Sequence, residues 1–164
     1  MNKANLKSYA PQARQDFIAA VSARASILGI TAKGNSPIEV RGDVALIDGR
    51  EWPKKVVGQR SALIERVERH GFQQVIEEVA YTWFNRFAAL RFMEIHDYLD
   101  HGWRVLSSRD NGLPEILGHA SELSLAGLSQ AKAQEMQLAG NQDNELYKLL
   151  LVAQCNALSS AMPF

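Results

Sequence analysis

The chain has 164 residues, 46% hydrophobic and 22% charged, with 18 basic and 18 acidic side chains. That composition describes a soluble globular chain long enough to bury a core and excludes disorder as its main state. One cysteine, Cys155, excludes an internal disulfide and a cysteine-rich zinc site and agrees with a reducing, cytoplasmic compartment, and the absence of any long apolar run predicts neither a secretory signal nor a membrane span.

Helices dominate the predicted elements. The first is expected to start near Ser8, with Pro11 in its opening turn, where a missing N–H costs nothing. Phe17, Ile18, Val21, Ala25 and Leu28 recur at helical spacing, and Gly29 stands where a helix commonly ends. Residues 31–37, TAKGNSP, read as a loop. Next, Ile38 and Val40 alternate with Glu39 and Arg41, and Val44 to Ile47 is a short apolar run. Asp48–Gly49 then fits a two-residue turn that needs positive φ at both positions, so a small β-hairpin is predicted at about 39–52.

A second helix is expected over about 54–70, with Val57, Leu63, Ile64 and Val67 as its buried stripe and Gly71 as its stop. The long, aromatic-rich helix follows at about 72–99. Phe72, Val75, Ile76, Val79, Trp83, Phe87 and Leu90 share one face, and Phe84, Ala88, Phe92, Ile95 and Leu99 share another. Its second half is therefore apolar on nearly all sides, which predicts burial at the centre of a helical domain. Residues 102–108 read as a short extended piece, 113–119 as a short helix, and 125–139 and 145–158 as the closing helices. The fold class is mainly α: one bundle-like domain, 1–164, around the central helix. The chain stops on the apolar Met162, Pro163 and Phe164, which predicts a piece of something longer.

Known catalytic signatures are missing. No two glycines are separated by a single residue, so there is neither a dinucleotide fingerprint nor a glycine-rich S-adenosyl-methionine loop. No Pro-Pro pair occurs, so the tetrapeptide of amino-methyltransferases is absent too. His96 and His101 are five residues apart and do not stack on one helical face, so no metal site is predicted. The expectation is therefore no catalytic, cofactor-binding or metal-ligating residue in this chain.

Charge is segregated along the sequence. Residues 1–70 carry 12 basic against 7 acidic side chains, and residues 71–164 carry 6 against 11. Arg50, Lys54, Lys55, Arg60, Arg66 and Arg69 are accordingly the candidates for contact with DNA phosphates, with a solvated helix face as the simpler reading. Within the long helix, Asn85, Arg86, Arg91 and Glu94 are candidates for structural pairing or for holding a neighbouring domain, because a charge on a mostly buried helix must find a partner.

Several stretches, in order, carry a family resemblance: LKSYAPQARQDFIAAVSARASILGI, VRGDVALIDGREWP, YTWFNRFAALRFMEIHDYL and RVLSS. Together they resemble the N-terminal region of the adenine-specific DNA methyltransferases of BREX phage-defence systems, the PglX family. The resemblance implies a far longer parent that binds S-adenosyl-methionine and methylates a flipped adenine at N6. The partners it implies are the parent's downstream methyltransferase domain, double-stranded DNA and other BREX proteins. This segment would be a helical scaffold, since no residue here matches a catalytic motif of the family. A free-standing helical adaptor and an independent DNA-binding domain are the competing readings.

Overall fold

The computed structural model describes residues 3–159, with side chains from residue 9 onward. The apolar end at Met162, Pro163 and Phe164 lies outside the described residues. The chain is mainly helical, with six α-helices and two small antiparallel sheets among the described residues. It divides into two compact units, one up to residue 84 and one from residue 85.

In the first unit, α1 (Lys3–Ile27) begins earlier than predicted, so Pro11 lies inside the helix. A proline there removes an N–H donor and crowds the carbonyl four residues back, which is why the sequence suggests a start beside it, and the residues before Pro11 carry no apolar period that marks an earlier one. Strands β1 (Ile30–Thr31) and β2 (Gly34–Asn35) pair as a ribbon where a loop was expected. Strands of two residues are too short to show alternation.

Three further strands, β3 (Ile38–Arg41), β4 (Val44–Ile47) and β5 (Arg50–Pro53), form an antiparallel meander. The predicted turn is present, with φ of 48° at Asp48 and 75° at Gly49, and it sets Ile47 opposite Arg50. A second turn at Gly42–Asp43 adds the third strand. Ala45 and Ile47 are fully buried, so one face of β4 belongs to the core.

Helix α2 (Lys55–His70) ends at Gly71, whose N–H returns to the Val67 carbonyl at 2.8 Å. Leu63, Ile64 and Val67 pack with Ile18, Val21 and Phe72 around the buried Ala25, Ile30 and Ile76. Arg14 bonds Glu77 at 2.8 Å and Arg66 bonds Glu78 at 2.6 Å, fastening α1 and α2 to α3 (Phe72–Ile95). Gly29 is required where it stands. Its φ is +66°, and a Cβ there would lie 2.7 Å from the Ser36 Cβ and 2.9 Å from the Ile47 Cγ2.

The second unit is built on the last turns of α3. That helix ends at Ile95, four residues earlier than predicted, and Asp97 turns the chain with φ 53°. Leu99 is buried, but from the turn rather than from the helix. Residues 102–108 form no strand; they are an irregular segment held by side chains, and its own Val105 is fully buried. Then come α4 (Glu115–Gly118), a 3-10 turn (Ala120–Glu122), α5 (Gln130–Ala139) and α6 (Asp143–Leu158). Ser129 caps α5 at its start, and Gly140, with φ 68°, ends it. The core of this unit is Leu90, Val105, Ile116, Leu123, Ala133, Leu146 and Leu150.

The aromatic helix is not buried on all sides. Val75, Ile76, Ala80 and Leu90 are covered, whereas Tyr81, Phe92 and Ile95 are exposed. Phe92 and Ile95 of the second predicted apolar face are open to solvent, which corrects the expectation of burial on nearly all sides.

Candidate functional site

Of the six basic candidates, five are exposed to solvent, and three of these have no ionic partner among the described residues. Arg50 begins β5, and Lys54 and Lys55 stand at the junction of β5 with α2; all three are exposed. The backbone at the junction is tied down: the Lys54 N–H donates to the Asp43 carbonyl at 2.9 Å, and the Lys54 carbonyl accepts from the Val57 N–H at 3.0 Å. None of the three cations forms an ion pair among the described residues. A strand of four residues separates Arg50 from Lys54 by about 13 Å, so the cations form a spread edge rather than a point.

The other three are engaged. Arg66 pairs with Glu78, and Arg69 pairs with Glu65 one turn back on α2. The Glu78 carboxyl is held below its ordinary range by the bond from Arg66 and then by that from Gln74. Arg60 is a correction: it is 5% exposed and cannot face a phosphate. Its Nε donates to the Leu28 carbonyl at 2.7 Å, and its Nη2 donates to the carbonyls of Gly29 and Ser36. The sequence held a signal for this. Arg60 falls three residues after Val57 and four before Ile64, on the apolar stripe itself. A cation that sequence reasoning did not single out, Arg24, lies over the Trp52 ring at 5.0 Å.

The polar residues of the aromatic helix separate into two kinds. Asn85 and Arg86 are half-buried. Burial pushes the Cys155 thiol up, and the Arg86 charge opposes that shift. Arg91 and Glu94 form a fastening point. The Glu94 side chain is fully buried, while the Arg91 side chain is half exposed. Glu94 accepts from Arg91 Nη1 at 2.6 Å, from the Leu106 N–H at 2.8 Å and from Ser107 Oγ at 2.9 Å. Arg91 also reaches Ser107 Oγ at 2.8 Å. Every one of these bonds is internal to the unit, so Glu94 acts as a structural clamp on residues 106–107.

A second clamp, not foreseen from the sequence, sits beside it. Glu115 accepts from the N–H groups of Arg104 and Arg109, at 3.0 and 2.8 Å, and from Arg109 Nη1 at 2.6 Å. Burial acts to raise its pKa, but the two backbone donors and the Arg109 charge prevail and hold the carboxyl below its ordinary range. Its partners are loop amides, which leave no trace in residue spacing.

His101 is similarly structural. Its Nδ1 accepts from the Trp103 N–H at 3.1 Å, which places the ring proton on Nε2, 3.0 Å from the Gln154 Oε1. His119 stacks on Trp103 with ring centroids 3.4 Å apart. Among the described residues, no three His, Cys, Asp or Glu side chains converge as a metal-ligand set. No described helix is long and apolar enough to cross a membrane.

One feature at the end of α3 and in the turn after it is open to solvent. Phe92, His96 and Tyr98 are exposed yet in mutual contact, with centroids 4.5 Å apart for Phe92–His96, 5.6 Å for His96–Tyr98 and 5.9 Å for Phe92–Tyr98. Ile95 lies beside them, also exposed.

No family model matches the chain. It is 46% identical, over 172 aligned positions, to the adenine-specific methyltransferase BrxX of Escherichia coli O9:H4 (strain HS), with all of this chain and 14% of that protein covered. It is 35% identical, over 188 positions, to the adenine-specific methyltransferase PglX of Lacticaseibacillus casei (strain Zhang), with 99% of this chain and 15% of that protein covered. The chain is thus homologous over its full length to a region of the BrxX/PglX adenine-specific methyltransferases, and it spans about a seventh of the length of these relatives.

Proposed function

We propose that this chain is the N-terminal helical scaffold of an adenine-specific DNA methyltransferase that marks host DNA at adenine N6 in a BREX phage-defence system. The observation that carries the reading is the match of the entire chain, at 46% identity, to a region of a protein named for that activity. The packing agrees with a supporting role: the buried charges Arg60 and Glu94 are bonded to the backbone of irregular stretches.

S-adenosyl-methionine is the methyl donor that this class of parent uses, but the residues present do not fit it. The sheets are short antiparallel ribbons, whereas a dinucleotide-type site needs a parallel strand leading through a glycine-rich turn into a helix. The scaffold reading therefore assigns cofactor binding and methyl transfer to other parts of the parent.

The scaffold also touches DNA through phosphate contacts from Arg50, Lys54 and Lys55, the exposed cations at the β5–α2 junction. Fluorescence anisotropy with a short duplex tests this. Three phosphate contacts predict that affinity falls about 40-fold between about 50 and about 200 mM salt, and that K54A/K55A reduces the salt slope by about two. Salt-independent binding, or none at the lower salt, removes DNA contact from the reading.

The scaffold reading has its own test. The matched region of the E. coli relative is replaced by this chain, and N6-methyladenine in host DNA is quantified. Retained methylation, lost when the region is deleted, is the expected result. Full methylation without the region would overturn the reading.

A further inference from the structure

We propose that Phe92, His96 and Tyr98, with Ile95 beside them, form the face on which the remaining polypeptide of the methyltransferase docks. This rests on the functional reading above. Phe92 is 55% exposed, Ile95 49% and Tyr98 60%. The three rings hold one another in place at 4.5–5.9 Å, so the surface is already ordered and loses little side-chain freedom on being covered. Rigid aromatics of this kind are the usual centre of a protein–protein contact. The opposite side of the same helical turns is anchored, since Leu90 and Glu94 are buried and Glu94 is bonded to residues 106 and 107. The patch is therefore presented on a fixed support.

The occupant follows from length and charge. The relatives are about seven times longer than the matched region, so a covalently linked partner is present at high effective concentration, and a patch of four side chains is enough to hold it. DNA is disfavoured as the occupant. The nearby cations are spent, Arg91 on Glu94 and Ser107, Arg109 on Glu115 and Asp97, and Asp100 remains exposed beside the rings. An apolar segment carrying a basic side chain complements this surface; a phosphate backbone does not.

The test compares side-chain accessibility by hydroxyl-radical footprinting in the isolated chain and in the chimera with the E. coli relative. Labelling of Phe92 and Tyr98 is expected to fall in the chimera, while Leu138, exposed elsewhere in the same unit, labels equally in both. A two-component titration supports it independently. The isolated chain is mixed with the E. coli protein lacking its matched region, and Phe92→Ser with Tyr98→Ser is expected to weaken binding about tenfold or more.

Equal labelling in chain and chimera, or equal binding by the double variant, overturns the proposal. So does light scattering that shows a dimer of the isolated chain abolished by the same substitutions, because a second copy would then be the occupant. The functional reading is scored separately by adenine methylation. A chimera that methylates with its rings fully labelled keeps that reading and loses the docking face, and protection without methylation does the reverse.

Discussion

Among the described residues, each unit has one buried charged side chain that fastens an irregular stretch, and the two have opposite sign. In the first unit Arg60 donates to carbonyls, and in the second Glu94 accepts from an N–H, a hydroxyl and a guanidinium. The sign follows from what the backbone presents. Leu28 and Gly29 lie just past the C-terminus of α1, where a helix leaves carbonyls unsatisfied and carries partial negative charge. A cation fits there. The segment after α3 turns its N–H groups inward at Leu106, Arg104 and Arg109, so carboxylates fit, and the unit supplies two of them. In both units a buried charge was chosen by the orphaned backbone groups around it.

The largest effect is expected from removing Glu94. Glu94→Ala leaves the Leu106 N–H and Ser107 without their acceptor and should cost about 3 kcal/mol in urea unfolding. A loss under about 1 kcal/mol would show that the clamp is dispensable. Arg60→Lys separates charge from geometry. An ammonium keeps the positive charge but cannot present the planar fork to three carbonyls, so a loss of about 2 kcal/mol is expected, with faster amide exchange at residues 28–36. If the lysine variant is as stable as the parent sequence, the helix-end charge alone suffices.

Ser107→Ala removes one hydrogen bond from a network that keeps its ionic pair and should cost about 1 kcal/mol. The smallest effect is a dependence on acid. The Glu115 pKa in the folded chain lies below its unfolded value of about 4.3, so its stabilising contribution is complete above that pH and is lost as pH falls through the folded value. Amide chemical shifts of Arg104 and Arg109 should therefore move as pH falls below the unfolded carboxylate value of about 4.3 and cease to do so in Glu115→Gln, whereas the amides around Arg60 should show no such dependence on Glu115.

The regular parts of this fold were legible because they obey a period. The 54–70 helix, the Asp48–Gly49 turn and the closing helices announce themselves by spacing and by residues that tolerate positive φ. The helix at 125–139 began late, at Gln130, because its N-cap is Ser129 and the residues before it form turns. The ribbon at 30–35 escapes sequence reading because strands of two residues show no alternation, and the segment at 102–108 because it is held by the Glu94 and Glu115 side chains, about which local composition says nothing. Arg60 was assigned to the surface because charged residues usually lie there. Its place on an apolar stripe was the better guide. Glu94 was singled out as a charge in need of a partner, and the structure supplies that partner together with the loop it fastens.

Cys155 gives the molecule a clock. It is the chain's one thiol, 2% exposed, and burial pushes its pKa up. An exposed thiolate is the reactive species, so a thiol reagent can modify this chain only while the second unit is open around α6. At reagent concentrations where modification outpaces reclosing, its rate under folded conditions counts openings. The same reading can be repeated with the chain alone, with a bound partner or inside a longer polypeptide, without adding a label to any of them.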